Sequence, residues 1–197
     1  MNELVVAFFG KCGVGKTTTI NSLFGLNWEI GHAKATTLQI YSTFINPKEY
    51  LNTLSMPDCI LRIIDTPGIS ESQIADKTYY SLYKEIVPEI DYIYWLFQAD
   101  TRTYRADQEM LSTLVKLFCK STKIIIGINH IDQLHPGNWD YKLNQPSLEQ
   151  NEYINEKIID VKEKFSKVIN IDRDNIIPYS AMHQYGLNNL IANLFSS

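Results

Sequence analysis

Gly10-Lys11-Cys12-Gly13-Val14-Gly15-Lys16-Thr17 follows directly on the apolar run Leu4-Val5-Val6-Ala7-Phe8-Phe9. The spacing of Gly10, Gly15, Lys16 and Thr17 is that of a loop built to hold phosphates, which requires an apolar strand before it and a helix after it. Both are read here. Glycines let the backbone turn its N–H groups inward around phosphate oxygens, and the start of the following helix adds the positive end of its dipole. In such a loop residues 10 to 15 wrap the phosphates, Lys16 reaches the β- and γ-phosphates, and Thr17 offers its hydroxyl to Mg²⁺ while Thr18 continues the first helical turn. The plain alternative, a glycine-rich turn with no ligand, is set aside on the strength of the flanking elements.

Outward from this loop, short runs rich in Ile, Val, Tyr and Phe alternate with longer stretches of helical period, the pattern of an α/β sheet covered on both faces. Strands are predicted over 4–9, 39–46, 59–65, 92–98, 123–129 and 175–178. Only residues 47–58 separate the second from the third, too few for a crossover helix, so this pair is expected to be antiparallel and the rest parallel. Helices are predicted directly after Gly15, over 75–87 and over 105–120. A further helix starts at Leu148, where Ile154, Ile158, Val161, Phe165 and Val168 form one apolar stripe. The last follows Gly186, with Leu187, Leu190, Ile191 and Leu194 inward. Residues 133–147, which carry two prolines, a glycine and Trp139, read as a long loop, and long loops in compact domains are often functional. The chain is expected to form one domain over 1–197.

Three further motifs fall at strand ends. Asp65-Thr66-Pro67-Gly68 closes the third strand, where an aspartate faces the phosphate crevice. Asp65 there binds Mg²⁺ through water, and the Gly68 amide senses the γ-phosphate. Ala35-Thr36-Thr37 precedes the second strand; one hydroxyl is expected to complete the Mg²⁺ shell, and Thr37 is favoured over Thr36. Asn129-His130-Ile131-Asp132 follows the fifth strand. A carboxylate at Asp132 accepts both the ring N–H and the exocyclic amine of guanine, a charge-assisted pair that adenine cannot form. His130 stands where a lysine stem usually covers the base, and its ring either stacks there or turns to solvent; its place beside the base argues against a general-base role. Ser180-Ala181-Met182, after the sixth strand, fits a loop whose Ala181 amide donates to the guanine carbonyl. Each motif is weak alone, and their order along the chain makes the combination strong.

With 45% hydrophobic and 20% charged residues, 197 residues can bury a sizeable core. A net charge of -4 with no dense Lys/Arg face argues against DNA or RNA as a partner. Cys12, Cys59 and Cys119 are too scattered for a disulfide framework or a zinc site, so a reducing, cytoplasmic compartment is expected. Residues 4–9 lack the basic leader and cleavage site of a signal peptide, and no apolar run approaches the roughly 20 residues that span a bilayer.

The segment from Gly15 through Thr19-Ile20-Asn21-Ser22-Leu23-Phe24-Gly25 resembles that of the translation-factor-related GTPases of the Era and TrmE kind. Thr101-Arg102 through Asp107, Glu109 and Met110 resembles the stretch after their fourth strand, and Trp139-Asp140 with Gln145-Pro146-Ser147 resembles a loop of prophage-associated YfjP-type GTPases. The resemblance covers essentially the whole chain. It implies a Ras-like P-loop NTPase G domain, a six-stranded mostly parallel sheet with helices on both faces, that hydrolyses GTP to GDP and phosphate with Mg²⁺ and acts as a nucleotide-dependent switch on a protein effector. Relatives of this kind can carry an additional C-terminal region, so the chain is expected to be the G domain of something longer.

The sequence departs from the family pattern in places. Gly13 replaces the asparagine of potassium-activated relatives, which puts that mechanism in doubt. Ile69 stands where Ras-like proteins orient water with glutamine, and an aliphatic side chain cannot. Glu71, with Ser70 and Asp76, is the nearest polar candidate, so the catalytic set is Lys16, Thr37, Gly68 and Glu71. Cys12 puts a side chain near the γ-phosphate approach. Arg102 and Arg105 are candidates to act across a dimer, and the competing reading is a GTP-dependent homodimer with little or no turnover.

Overall fold

The computed structural model describes residues 2–29, 40–50, 59–69 and 73–195. Within them a six-stranded sheet is built from β1 (Asn2–Gly10), β2 (Tyr41–Ile45), β3 (Cys59–Asp65), β4 (Tyr92–Gln98), β5 (Lys123–Asn129) and β6 (Ile176–Pro178) in the spatial order β2-β3-β1-β4-β5-β6. β2 runs antiparallel to β3, with Tyr41 opposite Asp65, and every other pairing is parallel, as the short second connection required. That connection nevertheless holds a helical turn, α2 (Pro47–Tyr50), after α1 (Lys16–Phe24). The covering helices are α3 (Gln73–Ile86), α4 (Arg105–Leu114), α5 (Leu148–Phe165) and α6 (Leu187–Phe195).

Alternation along the strands divides the core in two. Val5, Ala7 and Phe9 of β1 join Trp95, Phe97, Leu111, Ile158 and Phe165 on one face, while Val6 and Phe8 join Ile20, Tyr94, Leu96 and Leu190 on the other. Register stacks aromatic rings across the strands. Phe8 lies opposite Tyr94 with rings 4.9 Å apart at 9°, and Phe9 opposite Trp95 at 5.7 Å and 4°. These stacks lock β1 to β4 at the end where the phosphate loop begins.

One element boundary needs correction. The helix predicted over 105–120 stops at Leu114 and tightens into a 3₁₀ turn, Val115–Leu117, before Phe118 becomes extended. Apolar residues continue through this stretch, so periodicity alone runs past the end. The chain must instead turn at Cys119, whose carbonyl accepts from the Thr122 amide at 3.1 Å, to enter β5. Residues 133–147, read as a loop, are closely tied: Ile131–Gln133 is a 3₁₀ turn, Asp140 and Gln145 exchange backbone hydrogen bonds at 2.9 and 3.2 Å, and Trp139 is buried.

Candidate functional site

The carboxyl ends of β1 and β3 bring two of the predicted motifs together. Gly13 and Gly15 both adopt positive φ, 82° and 85°, and Gly15 is the residue on which α1 starts. A side chain is doubly excluded at Gly15, because a Cβ there would lie 2.5 Å from Asn129 Nδ2 in a left-handed backbone. Lys16 is buried and its ammonium folds back to donate to the Gly10 and Lys11 carbonyls, each at 3.1 Å. Thr17 Oγ1 donates to Asp65 Oδ2 at 2.6 Å, so the hydroxyl and carboxylate expected to serve one cation meet in space. Asp65 Oδ1 is buried with no hydrogen-bond partner. Burial raises the Asp65 carboxyl above its ordinary range, against the pull of Thr17 and Lys16, and burial lowers the Lys16 ammonium. An unpaired buried acceptor and a desolvated cation fit a site completed by Mg²⁺ and phosphate. No cluster of three or more His, Cys, Asp or Glu suited to a metal occurs among the described residues.

Gly68 packs against the phosphate loop: a Cβ on it would lie 2.8 Å from the Cys12 nitrogen. Next to it, the Ile69 amide donates to the Gly10 carbonyl at 3.1 Å and its side chain is buried in the core, which takes it away from any attacking water. The turn is tied down further by Thr66 Oγ1 on the Phe8 carbonyl at 2.7 Å and by the Tyr83 hydroxyl on the Pro67 carbonyl at 2.8 Å. Cys12 is exposed. Thr36, Thr37, Ser70 and Glu71 lie outside the described residues, and of Asp76 only its place in α3 is described.

The motifs expected to read the base assemble on the far side of the same loop. Asn129 is buried and joins three segments: Nδ2 donates to the Val14 carbonyl at 3.0 Å, and Oδ1 accepts from the His130 amide at 2.8 Å and the Ala181 amide at 3.1 Å. The Ala181 amide expected to serve the guanine carbonyl thus already has a partner within the protein. His130 sits at φ 62°, with its imidazole beside Gly15 and Nε2 buried without a partner. Asp132 is buried, with Oδ1 unpaired and Oδ2 3.8 Å from His183 Nε2. Ser180 is fully buried and Oγ accepts from the His183 amide at 3.3 Å, whereas Met182 is exposed.

Two supports of the phosphate loop were not legible in the sequence. Lys11 Nζ lies 3.2 Å from Asp107 Oδ2, a carboxylate at the start of α4 that is wholly buried and also accepts from Trp95 Nε1 at 3.2 Å. Burial raises the Asp107 carboxyl while Lys11 pulls it down. Gln98, the last residue of β4, donates from Nε2 to the Gly13 carbonyl at 2.9 Å. Of the candidates for action across a dimer, Arg105 is exposed and paired with Glu109 at 2.7 Å, one helical turn away. A separate groove of about 690 Å³, lined by Phe118, Lys123, Val168 and Asn175, opens at the opposite end of β5 and shares none of these residues.

Among curated proteins the chain is similar to the uncharacterized protein YfjP of Escherichia coli strain K12, 28% identical over 166 residues that make up 84% of this chain and 54% of that one. It is similar also to the GTPase Era of Aquifex aeolicus strain VF5, 30% identical over 135 residues, 66% of this chain and 42% of that one. The chain therefore spans about half the length of the curated relatives it matches. Among solved structures the fold is shared with a probable GTP-binding protein, EngB, at TM-score 0.64 and 18% identity over 97% of this chain and 96% of that one. It is shared too with Toc33 from Arabidopsis thaliana in complex with GDP and Mg²⁺, at TM-score 0.60 and 20% identity over 92% and 72%. Residues 5–130, from β1 through the phosphate loop to His130, match the family described as 50S ribosome-binding GTPase, and the chain belongs to that GTP-binding family.

Proposed function

We propose that this chain binds GTP with Mg²⁺ across the carboxyl ends of β1, β3 and β5, hydrolyses it slowly to GDP and phosphate, and acts as a nucleotide-dependent switch. The meeting of Thr17 and Asp65 at 2.6 Å beneath the turn that carries Lys16 supports this reading most directly. Thr17 and, through water, Asp65 would hold the cation, with Thr37 joining when the γ-phosphate is present. Mg²⁺ bound there neutralises charge on the β- and γ-phosphates. Lys16 would exchange its two carbonyl partners for phosphate oxygens, and Gly68, packed against Cys12, would offer its amide to the γ-phosphate. Asp132 Oδ1, buried and unpaired, accepts from the guanine edge. Burial of Ile69 leaves water positioning to another group, and Glu71 is the candidate.

The same burial favours a second reading, in which two copies pair across the nucleotide face in the GTP state with little turnover. Multiple-turnover phosphate release, set beside the mass in solution with a non-hydrolysable GTP analogue, separates the two. Turnover by a monomer supports the switch, and a dimer without turnover supports assembly. Loss of turnover in Glu71→Ala with GTP affinity intact would assign the water-positioning role.

A further inference from the structure

Directly after Asp132 the chain makes an excursion, 134–147, whose role the phosphate and base motifs leave unassigned. It doubles back on itself where Asp140 and Gln145 exchange backbone hydrogen bonds, with Asp140 Oδ1 accepting from the Lys142 and Leu143 amides at 2.9 and 3.0 Å. The loop after β6 is built in the same manner, Ser180 and Tyr185 exchanging backbone hydrogen bonds at 3.0 Å each. Between these two small hairpins lies Trp139, only 4% exposed. Its indole stacks on His183 at 5.7 Å and 27° and meets the edge of Tyr185 at 5.1 Å and 89°. Tyr141 meets the edge of His183 at 5.7 Å and 66°, and Asn144 Nδ2 donates to the His183 carbonyl at 2.9 Å. His183 in turn places Nε2 3.8 Å from Asp132 Oδ2. The root of the excursion is tied to the same place, since the buried Gln150 donates from Nε2 to the Asp132 and Leu134 carbonyls at 3.2 and 2.9 Å.

We infer that Trp139 is a positioning residue for base recognition: through His183 it clamps the Ser180–Tyr185 hairpin onto Asp132, so that the carboxylate and the Ala181 loop meet the base as one preformed edge. The inference rests on the guanine reading above. Ordering both loops before the ligand arrives removes that ordering cost from binding. Among the described residues its ring partners, His183 and Tyr185, both lie in the loop after β6, so its contribution belongs to the base half and should be the same for GDP and GTP.

The test is equilibrium titration of the full chain with GDP, ADP and inosine diphosphate, which lacks the exocyclic amine that Asp132 would read. Wild type is expected to prefer GDP to both. Losing two ring contacts, Trp139→Ala should weaken GDP by about tenfold and shrink the preference for GDP over inosine diphosphate. His183→Ala, which deletes a partly exposed ring rather than a core residue, should do the same, and Trp139→Phe, which keeps a stacking face, should restore most of the loss. If Trp139→Ala does not fold, the other two variants decide. Unchanged GDP affinity and preference in His183→Ala overturns the inference, as does an equal loss for GDP and inosine diphosphate that Trp139→Phe fails to rescue, since that marks Trp139 as packing only. Equal binding of ADP and GDP by wild type removes the guanine reading itself, a failure visible before any variant is made.

Discussion

Lys16 and Asp65 are both desolvated in the folded chain, and their shifts have opposite signs. In the proposed site, nucleotide with Mg²⁺ would bind the charged form of each. Since burial raises Asp65, its carboxyl takes up a proton at a higher pH than an ordinary aspartate, and affinity should fall as pH drops through that raised value. Since burial lowers Lys16, affinity should also fall as pH rises through a value below the ordinary lysine range. A GDP titration series across pH with Mg²⁺ present checks both limbs; Asp65→Asn should bind weakly and flatten the acidic limb alone. Lys16→Ala should remove most affinity for GTP and GDP in a folded protein, measured by calorimetry. Asp132→Asn should move preference from guanine toward xanthine nucleotides. Each charge-assisted bond contributes about 1.5–3 kcal/mol, so GTP affinity should drop by about tenfold or more. The sequence singles these residues out because each motif is a short run at a strand end. The motif led to the expectation that Asn129 reads the base; its role as a three-way tie among Val14, His130 and Ala181 needed coordinates.

Among the elements, α1 and α5 show what local sequence decides. α1 begins at Gly15 and ends at Gly25, both left-handed, and the glycines mark its two ends in the sequence. α5 begins at Ser147, whose Oγ accepts from the Gln150 amide at 3.0 Å. Ser147→Ala should destabilise the fold by about 1 kcal/mol. For a chain of this size that corresponds to a fall of roughly 2–4 °C in the unfolding midpoint, readable by calorimetry. Nucleotide affinity should fall as well if α5 anchors the Asp132 turn through Gln150, and stay constant if the cap serves α5 alone. α4 shows the limit of periodicity, for its apolar spacing continues into a 3₁₀ turn that the need to re-enter the sheet at β5 imposes.

For the molecule as a whole, a ligand that satisfies the unpaired buried oxygens of Asp65 and Asp132 would bind the folded chain alone, so binding would add to stability. GDP with Mg²⁺ at a hundredfold over its dissociation constant should add about 2.7 kcal/mol to stability, and ADP at the same concentration far less. A thermal scan with each nucleotide reads the difference, and equal midpoints would remove the guanine assignment. No helix among the described residues is long and apolar enough to cross a membrane. The order of the six strands and the five longer helices along the chain, the antiparallel β2–β3 pair and the phosphate loop were determined by sequence alone, because each rests on neighbours in the chain: alternation within a strand, the length of a connection, a glycine at a helix end. Only the tertiary structure decided that Asp107 lies under Lys11, that Gln98 reaches Gly13, that Ile69 turns into the core and that Trp139 backs His183 beside Asp132. Those contacts join segments far apart in the chain, and the distance between them carries no period that a sequence could show.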